Sequence, residues 1–324
     1  MGEADPRQER RSVAAEILVA GAAAVFFLVA FLLVPLLGTV ALPLAAVPAV
    51  RLAHRRGGAA AAVACGAGAA LIMGVGAATG GSAIALAALA GGITLLPALF
   101  AAAVRRGVPP SRAFLALCAA GLLPIAGFGA VELWSGRSTV EREIGRTFDG
   151  MIPAAVASYE RSTKDPVEVE RVRRTLTAAR DLARRYWPGL LGASWVLGAA
   201  VAFYSGARAA RPAASAEATR FERLRAPAAL AGLFVLSGAG TALARGTGRT
   251  LAGNVLLPLG ALFFAVGLSI ICHFARKWFR FRILRIGLYG LLLYFPMNLG
   301  VALLGLFDWY ADFRRRGEGA TEKI

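Results

Sequence analysis

Residues 251–272 read LAGNVLLPLGALFFAVGLSIIC, an apolar run with one amide side chain, Asn254, near its start. An α-helix rises 1.5 Å per residue, so about 20 apolar residues cross the roughly 30 Å of hydrocarbon in a bilayer. The run is long enough for one crossing, and none of its residues is charged. It predicts a transmembrane helix.

Eight further apolar segments surround this one, and most have a comparable length. The segment 39–50 is the exception, because about a dozen residues with Pro43 and Pro48 favour a short tilted span or a re-entrant piece. We therefore predict an all-α, polytopic membrane protein with 8 to 9 transmembrane helices. The segments are 17–37, 39–50, 57–78, 83–104, 113–131, 188–206, 227–244, 251–272 and 286–307.

The composition of the whole chain supports this class. Hydrophobic residues make up 57% of the 324 residues without the 38 glycines, whereas soluble domains are about 45–50% apolar with glycine counted. The net charge is +17, from 36 Lys and Arg against 19 Asp and Glu. The arginines lie in short clusters between apolar runs and not on one face of a soluble fold. The expected partner is the lipid bilayer, and no nucleic acid is expected.

The stretch 132–187 is polar and has a helical pattern. Ser138 with Glu141 indicates one helix start, and Asp165 with Pro166 and Glu168 indicates a second. We predict an extramembrane helical hairpin. With it, the chain divides into a polar N-terminal segment (1–16), a membrane bundle of 4–5 spans (17–131), the hairpin (132–187), a second bundle of four spans (188–307) and an interfacial basic tail (308–324).

The second hairpin helix has an apolar stripe at 3,4 spacing, which needs a partner. The first helix is one candidate, and a partner protein docking on Val169, Val172 and Leu176 is another. A third interpretation is a solvated basic helix on its neighbour or on lipid headgroups. The stripe comprises Val169, Val172, Leu176, Ala179, Ala183 and Tyr186, and the first helix offers Ile144, Phe148, Met151 and Ala155.

Cytoplasmic loops of membrane proteins have an excess of Lys and Arg. With nine spans and a cytoplasmic N-terminus in the inner cell membrane, the arginine-rich short loops face the cytoplasm, and we predict this orientation. The stretch 132–187 contains 11 basic residues and would lie outside together with the basic tail, against the charge rule. If segment 39–50 does not cross, every later loop changes side.

The interiors of the nine segments contain no Asp, Glu, Lys, Arg or His. Pumps, intramembrane metalloproteases and ion-coupled antiporters need such groups at membrane depth, so these classes are disfavoured. His54 and His273 lie at segment edges, and no metal site or catalytic group of residues can be assembled from the sequence. We expect no enzymatic activity and no cofactor.

The spans contain uncharged polar side chains instead. Buried amides and hydroxyls either bond neighbouring helices or contact a ligand. Either interpretation is open for Asn254, Asn298, Tyr289 and Tyr294, and the second would make them a substrate-binding group.

Residues 303–314, LLGLFDWYADFR, resemble the closing signature of the YybS-like predicted integral membrane proteins, the bacterial domain of unknown function 2232. The signature positions are Gly305, Asp308, Asp312, Phe313 and Arg314. Residues 48–51, 220–227 and 254–259 with Gly267 also resemble this family, although Ala265-Val266 stand where the family pattern has a Gln before the glycine.

The resemblance implies an integral membrane protein without an assigned activity. A more distant similarity links such proteins to the substrate-binding subunits of energy-coupling-factor vitamin transporters. On this basis we expect a small-molecule-binding or transport component with an energising partner protein and a ligand that is unknown. The alternative is a membrane scaffold or assembly factor that docks a partner through the hairpin.

Overall fold

The computed structural model describes residues 14–23, 25–26, 44–78, 83–135, 139–163, 165–210, 220–278, 281–292, 297–311 and 313. Within these ranges the chain forms α-helices and one short 3-10 helix, Phe221–Arg223, and no β-strand. The all-helical prediction is confirmed. The helices are α1 (Ala14–Ala23), α2 (Val47–Arg56), α3 (Gly58–Ala78), α4 (Ala83–Arg105), α5 (Pro110–Ser135), α6 (Thr139–Ser162), α7 (Pro166–Ala209), α8 (Ala228–Leu243), α9 (Gly246–Trp278), α10 (Arg282–Leu292) and α11 (Met297–Ala311).

Two compact units make up the chain. Unit one comprises Met1–Ala120, Val196–Pro227 and Leu262–Ile324, and unit two comprises Gly121–Trp195 and Ala228–Ala261. Three of the four unit boundaries fall inside the long helices α5, α7 and α9, and the fourth lies just before α8. The units therefore interleave along the sequence, and the five consecutive segments stay a prediction.

Three helices are long and apolar enough to cross a membrane within the described ranges: α5, α7 and α9. Five shorter apolar helices accompany them, at Ala14–Ala23, Gly58–Met73, Gly92–Arg105, Ala228–Leu243 and Met297–Asp308. Large apolar side chains on these elements are exposed, including Leu123 (71%) and Leu236 (71%). Exposure of this many large apolar side chains is unusual for a soluble fold, whereas lipid covers them in a membrane. The count of 8 to 9 spans stays a prediction.

In unit one, α2, α3 and α4 pack against one another. Gly57 (φ +97°) separates α2 from α3, and Gly107 (φ +97°) follows the end of α4. Glycine adopts this left-handed conformation without the clash that a Cβ causes. The two turns place the arginines that end α2 and α4 close together, because Arg105 Nη1 lies 3.8 Å from where a Cβ on Gly57 would stand.

An aromatic cluster forms the core of unit one near these turns. Phe114 and Phe203 are fully buried, and the ring of Tyr204 lies 5.5 Å from that of Phe114 and 5.2 Å from that of Phe221. Buried Leu224 follows, and its carbonyl accepts a hydrogen bond from Ser269 Oγ (3.4 Å). The irregular segment 220–227 is thereby held against α5, α7 and α9.

Helices α9 and α11 cross in unit one with almost no side chain between them. A Cβ on Gly305 would overlap the carbonyl oxygen of Phe263, and a Cβ on Gly267 would overlap that of Val301. Small residues allow membrane helices to approach this closely and gain van der Waals contact.

In unit two, α6 runs antiparallel to the first part of α7, and together they form the hairpin. Charged side chains join the two helices at three levels. The ion pairs are Arg184 Nη2–Glu141 Oε1 (3.0 Å), Arg180 Nη1–Asp149 Oδ1 (2.7 Å) and Arg173 Nη2–Glu160 Oε1 (3.7 Å).

The predicted cap of α7 is confirmed in part. Asp165 Oδ1 accepts a hydrogen bond from the backbone N–H of Val167 (2.9 Å). Glu168 does not complete a capping box, because its Oε2 accepts a hydrogen bond from Tyr159 Oη (3.2 Å) across the hairpin turn. That hydrogen bond raises the pKa of Tyr159, since ionisation would place two negative charges together.

At the start of α6, Glu132 takes the role that the sequence suggested for Ser138. Glu132 Oε1 accepts hydrogen bonds from the backbone N–H groups of Thr139 (3.0 Å) and Val140 (3.2 Å). Ser138 itself lies outside the described residues. A carboxylate from the end of α5 therefore satisfies two of the donors that a helix N-terminus leaves open.

The apolar face of α6 is rotated from the predicted one. Ile144 and Phe148 are half-buried as expected, but Met151 and Ala155 are exposed. Ile152 and Val156, one position further along, are the more buried residues. The register of the hairpin explains the shift, because the contacts of Glu141 and Tyr159 with α7 put positions 148, 152 and 156 on the facing side.

Candidate functional site

Helix α7 contains a break where the hairpin meets the predicted sixth span. Tyr186 has non-helical dihedral angles (φ −115°, ψ 18°). Two residues later, Pro188 has no N–H to donate, and its ring disfavours regular helix before it. In a regular helix the N–H of Gly189 would donate to the carbonyl of Arg185, four residues back.

The side chain of Asn254, from α9, occupies the place of that missing hydrogen bond. Its Oδ1 accepts from the N–H of Gly189 (2.7 Å), and its Nδ2 donates to the carbonyl of Arg185 (3.4 Å). Nδ2 also donates to Thr250 O in its own helix (3.0 Å). We call these three hydrogen bonds the Asn254 clamp. They satisfy backbone groups that the break would leave unpaired, which is costly away from water.

Glycines bring the two helices close enough for the clamp. A Cβ on Gly189 would lie 2.8 Å from Asn254 Cα, and a Cβ on Gly253 would lie 2.5 Å from Tyr186 Cε1. Neither glycine stands out from sequence alone in so glycine-rich a chain. The dipeptide Pro188-Gly189 was the available signal, since such pairs mark breaks in helices.

For Asn254, then, the geometry is helix-to-helix hydrogen bonding, one of the two interpretations that the sequence left open. Both the oxygen and the nitrogen of the amide are engaged. The arrangement holds backbone geometry and offers no nucleophile or titrating group to a substrate.

The other residues of the predicted substrate-binding group are placed elsewhere or are not described. Asn298 is half-buried on α11 in unit one, whereas Asn254 belongs to unit two. The side chain of Tyr289 and all of Tyr294 lie outside the described residues. A solute-binding role for these four residues stays a prediction.

The predicted docking residues lie on the hairpin. Val169, Val172 and Leu176 are half-buried. The large apolar side chains that are exposed in the described part of the hairpin are different ones, namely Val167 (64%) and Leu182 (53%) on α7 and Met151 (60%) on α6.

Leu176 lies three residues after Arg173 and four before Arg180, both of which form ion pairs with α6, so it is on the side of α7 that faces α6. Ala179 of the predicted stripe is exposed. Docking through Val169, Val172 and Leu176 stays a prediction.

The structure describes three of the five signature positions near the C-terminus. Gly305 forms the close crossing of α9 and α11, Asp308 is buried, and Phe313 is half-buried. Asp312 and Arg314 lie outside the described residues.

His54, which the sequence placed at a segment edge, is buried in unit one beside Phe203. Burial and, to a smaller extent, the nearby charge of Arg105 together lower the pKa of His54 to about 4. The imidazole is therefore neutral at physiological pH. In the described part of the chain, no group of three or more His, Cys, Asp or Glu side chains is arranged to hold a metal ion.

Comparison with known proteins gives one match. A family model described as a predicted membrane protein (DUF2232) matches residues 21–309, which include the Asn254 clamp and the crossing at Gly305. Neither a curated protein nor a solved structure matches the chain. The apolar helices, their exposed side chains and this match agree, and the chain belongs to the DUF2232 family of predicted membrane proteins.

Proposed function

We propose that the protein is a membrane scaffold whose spans hold the hairpin at one membrane face, where the hairpin docks a partner protein. The Asn254 clamp is the observation that carries this proposal. It ties α7 to α9 at the point where the hairpin ends, through hydrogen bonds at 2.7 Å and 3.4 Å. A hairpin fixed at its base loses less conformational entropy when a partner binds.

The exposed face of the hairpin supports a protein as the partner. Val167 and Leu182 alternate on α7 with exposed Arg171 and Arg185. Apolar side chains bordered by arginines suit a protein surface with an apolar centre and acidic groups around it.

An orientation follows from contacts at the start of the chain. Glu16 on α1 forms ion pairs with Arg55 (3.4 Å) and Arg56 (3.2 Å) at the end of α2. The contact supports an even number of crossings between these residues, as in the nine-span arrangement with a cytoplasmic N-terminus. The hairpin would then lie outside the cytoplasm.

Cysteine labelling tests this orientation. The variant Ser162→Cys, with Cys65, Cys118 and Cys272 replaced by Ala, should react with a membrane-impermeant maleimide in intact spheroplasts. Arg106→Cys in the same background is the control and should react only after permeabilisation. Reaction of Ser162→Cys only after permeabilisation would contradict the proposed side.

Photocrosslinking tests docking. A photoreactive amino acid at Met151 or at Leu182 should crosslink the same protein in native membranes, identified by mass spectrometry. Ala157, exposed on a different face of α6, is the control position. The scaffold proposal fails if the adducts from Met151 and Leu182 differ, or if they equal those from Ala157.

A further inference from the structure

From residue 17 to residue 131 the sequence contains six arginines and not one Asp or Glu. Two of these arginines, Arg55 and Arg56, share Glu16 as their ion-pair partner. The other four, Arg51, Arg105, Arg106 and Arg112, are exposed. So much positive charge without carboxylates indicates that the compensating charge comes from outside the chain.

The fold gathers these arginines at one end of unit one. Arg105 lies at the turn formed by Gly57, and the short connection through Gly107 leads to Arg112 on the first turn of α5. Next to Arg112, Ser111 Oγ donates a hydrogen bond to the carbonyl of Arg223 (3.4 Å), whose side chain is also exposed. We call Arg51, Arg105, Arg106, Arg112 and Arg223 the basic surface.

No ion pair within the described ranges involves any of these five side chains. Two described carboxylates of unit one are already engaged in other ion pairs, Glu16 as above and Glu222 with Arg276 (2.7 Å). The positive potential reaches the interior, since the charge of Arg105 adds to burial in disfavouring protonated His54.

Exposed apolar side chains adjoin the basic surface. Leu99 on α4 (44% exposed) precedes Arg106 by seven residues, two helical turns, and Val108 (38% exposed) lies in the connection between Arg106 and Arg112. In a phospholipid the acyl chains are esterified to the same glycerol that bears the anionic phosphodiester, so apolar and anionic groups adjoin in the same way. The apolar side chains here continue into the apolar helices α4 and α5, whereas those of the exposed hairpin face lie in a polar stretch, so at the basic surface the adjoining apolar layer is that of lipid.

We propose that the basic surface binds the phosphodiester headgroups of anionic phospholipids in the leaflet at that end of unit one. Guanidinium groups suit this ligand because their planar fork matches two phosphate oxygens. Basic residues at helix ends next to the bilayer are known to recognise anionic headgroups.

The test uses purified, delipidated full-length protein in a non-ionic detergent. Phosphatidylglycerol and phosphatidylcholine are added in turn, and bound lipid is counted by native mass spectrometry. Phosphatidylglycerol should bind roughly tenfold more tightly than phosphatidylcholine. The triple variant Arg105→Gln, Arg106→Gln, Arg112→Gln should lose that preference.

The control carries the same loss of charge on the hairpin: Arg161→Gln, Arg171→Gln, Arg185→Gln, all at exposed positions. It should keep the preference for phosphatidylglycerol. Equal loss in both triple variants would show an effect of net charge and overturn the proposal.

Two competitors separate the lipid from other anions. Millimolar inorganic phosphate should leave bound phosphatidylglycerol in place, and so should a polyglutamate peptide. Displacement by phosphate would reveal a site for a soluble anion, and displacement by the peptide would favour an acidic protein as the ligand. Either result overturns the assignment to lipid. Thermal unfolding of each variant without lipid confirms that it is folded.

Discussion

The crossing of α9 with α11 and the pairing of α6 with α7 solve the same packing problem in opposite ways. At Gly267 and Gly305 the helices meet backbone to backbone, and a single Cβ would overlap a carbonyl oxygen. In the hairpin, long charged side chains span the gap, as between Arg184 and Glu141 (3.0 Å).

The solvents that the sequence predicts for the two regions, hydrocarbon for the crossing and water for the hairpin, account for the difference. In hydrocarbon, apolar side chains gain nothing by leaving lipid, so close contact between small residues drives association. In water, the stripe of Val172 and Leu176 supplies the hydrophobic driving force, and ion pairs at its edges set the register. The apolar segments without charges and the polar stretch 132–187 already express this division in the sequence.

Gly305→Ala should cause the largest loss of stability. The added Cβ overlaps Phe263 O, so α9 and α11 must separate along their contact. We expect a loss of at least about 3 kcal/mol, because overpacking against backbone cannot be relieved by a rotamer change. Thermal unfolding in detergent, followed by tryptophan fluorescence, measures it.

Gly300→Ala, on the same helix, is the control for that substitution. A Cβ there meets nothing within 4 Å, and Ala is the better helix former, so stability should be unchanged or slightly higher. Equal destabilisation by both substitutions would mean that the backbone crossing does not hold α11.

Asn254→Ala should have the next largest effect. It leaves the N–H of Gly189 and the carbonyl of Arg185 without the partner that the clamp supplies. Unpaired backbone groups of this kind cost about 2 kcal/mol in total. The same unfolding measurement checks the loss.

Pro188→Ala provides a sharper test of the clamp. Without the proline ring α7 can become regular, and Gly189 can donate to Arg185 directly. Asn254→Ala should then cost at least about 1 kcal/mol less in the Pro188→Ala background than in the wild type. Additive losses would show that Asn254 stabilises the fold by some other contact.

The sequence was sufficient for the elements whose pattern is local. The helical character of the apolar segments and of 132–187 and the cap at Asp165 follow from composition and spacing, and the structure agrees in the residues that it describes, whereas most of 17–50 lies outside them. The Asn254 clamp was not predictable in this way, because it joins residues 65 positions apart. The dipeptide Pro188-Gly189 signals a break locally, but it does not specify which distant side chain bonds the backbone there. The face of α6 was misplaced by one position at Met151 because periodicity alone does not set the register between two helices.

The dependence of the stability of unit one on pH tests the burial of His54, a polar side chain inside apolar packing. The pKa of His54 is about 4 in the folded protein against 6.5 when unfolded. The unfolded chain therefore binds the proton first, so stability is fully present above pH 6.5 and falls as the pH drops toward 4. Between pH 7 and 5.5 we expect a loss of about 1 kcal/mol from this group.

The variant His54→Gln separates this contribution from those of the carboxylates. At pH 7 the variant should be less stable than the wild type, because it loses the packing of the imidazole. The difference in the free energy of unfolding should narrow as the pH falls. A gap that stays constant from pH 7 to 5.5 would show that His54 titrates normally.

The smallest effect should come from the hairpin ion pairs. In a double-mutant cycle, Arg184→Gln and Glu141→Gln should give a coupling of about 0.5 kcal/mol, since both side chains are partly exposed. The pair Arg146–Glu143 within α6 has side chains 76% and 69% exposed, and its coupling should be close to zero. High salt should remove the first coupling, because it screens charges in water, while leaving the cost of Gly305→Ala unchanged. A smaller cost of Gly305→Ala at high salt would contradict this contrast. It would mean that the crossing of α9 and α11, like the hairpin, depends on charge.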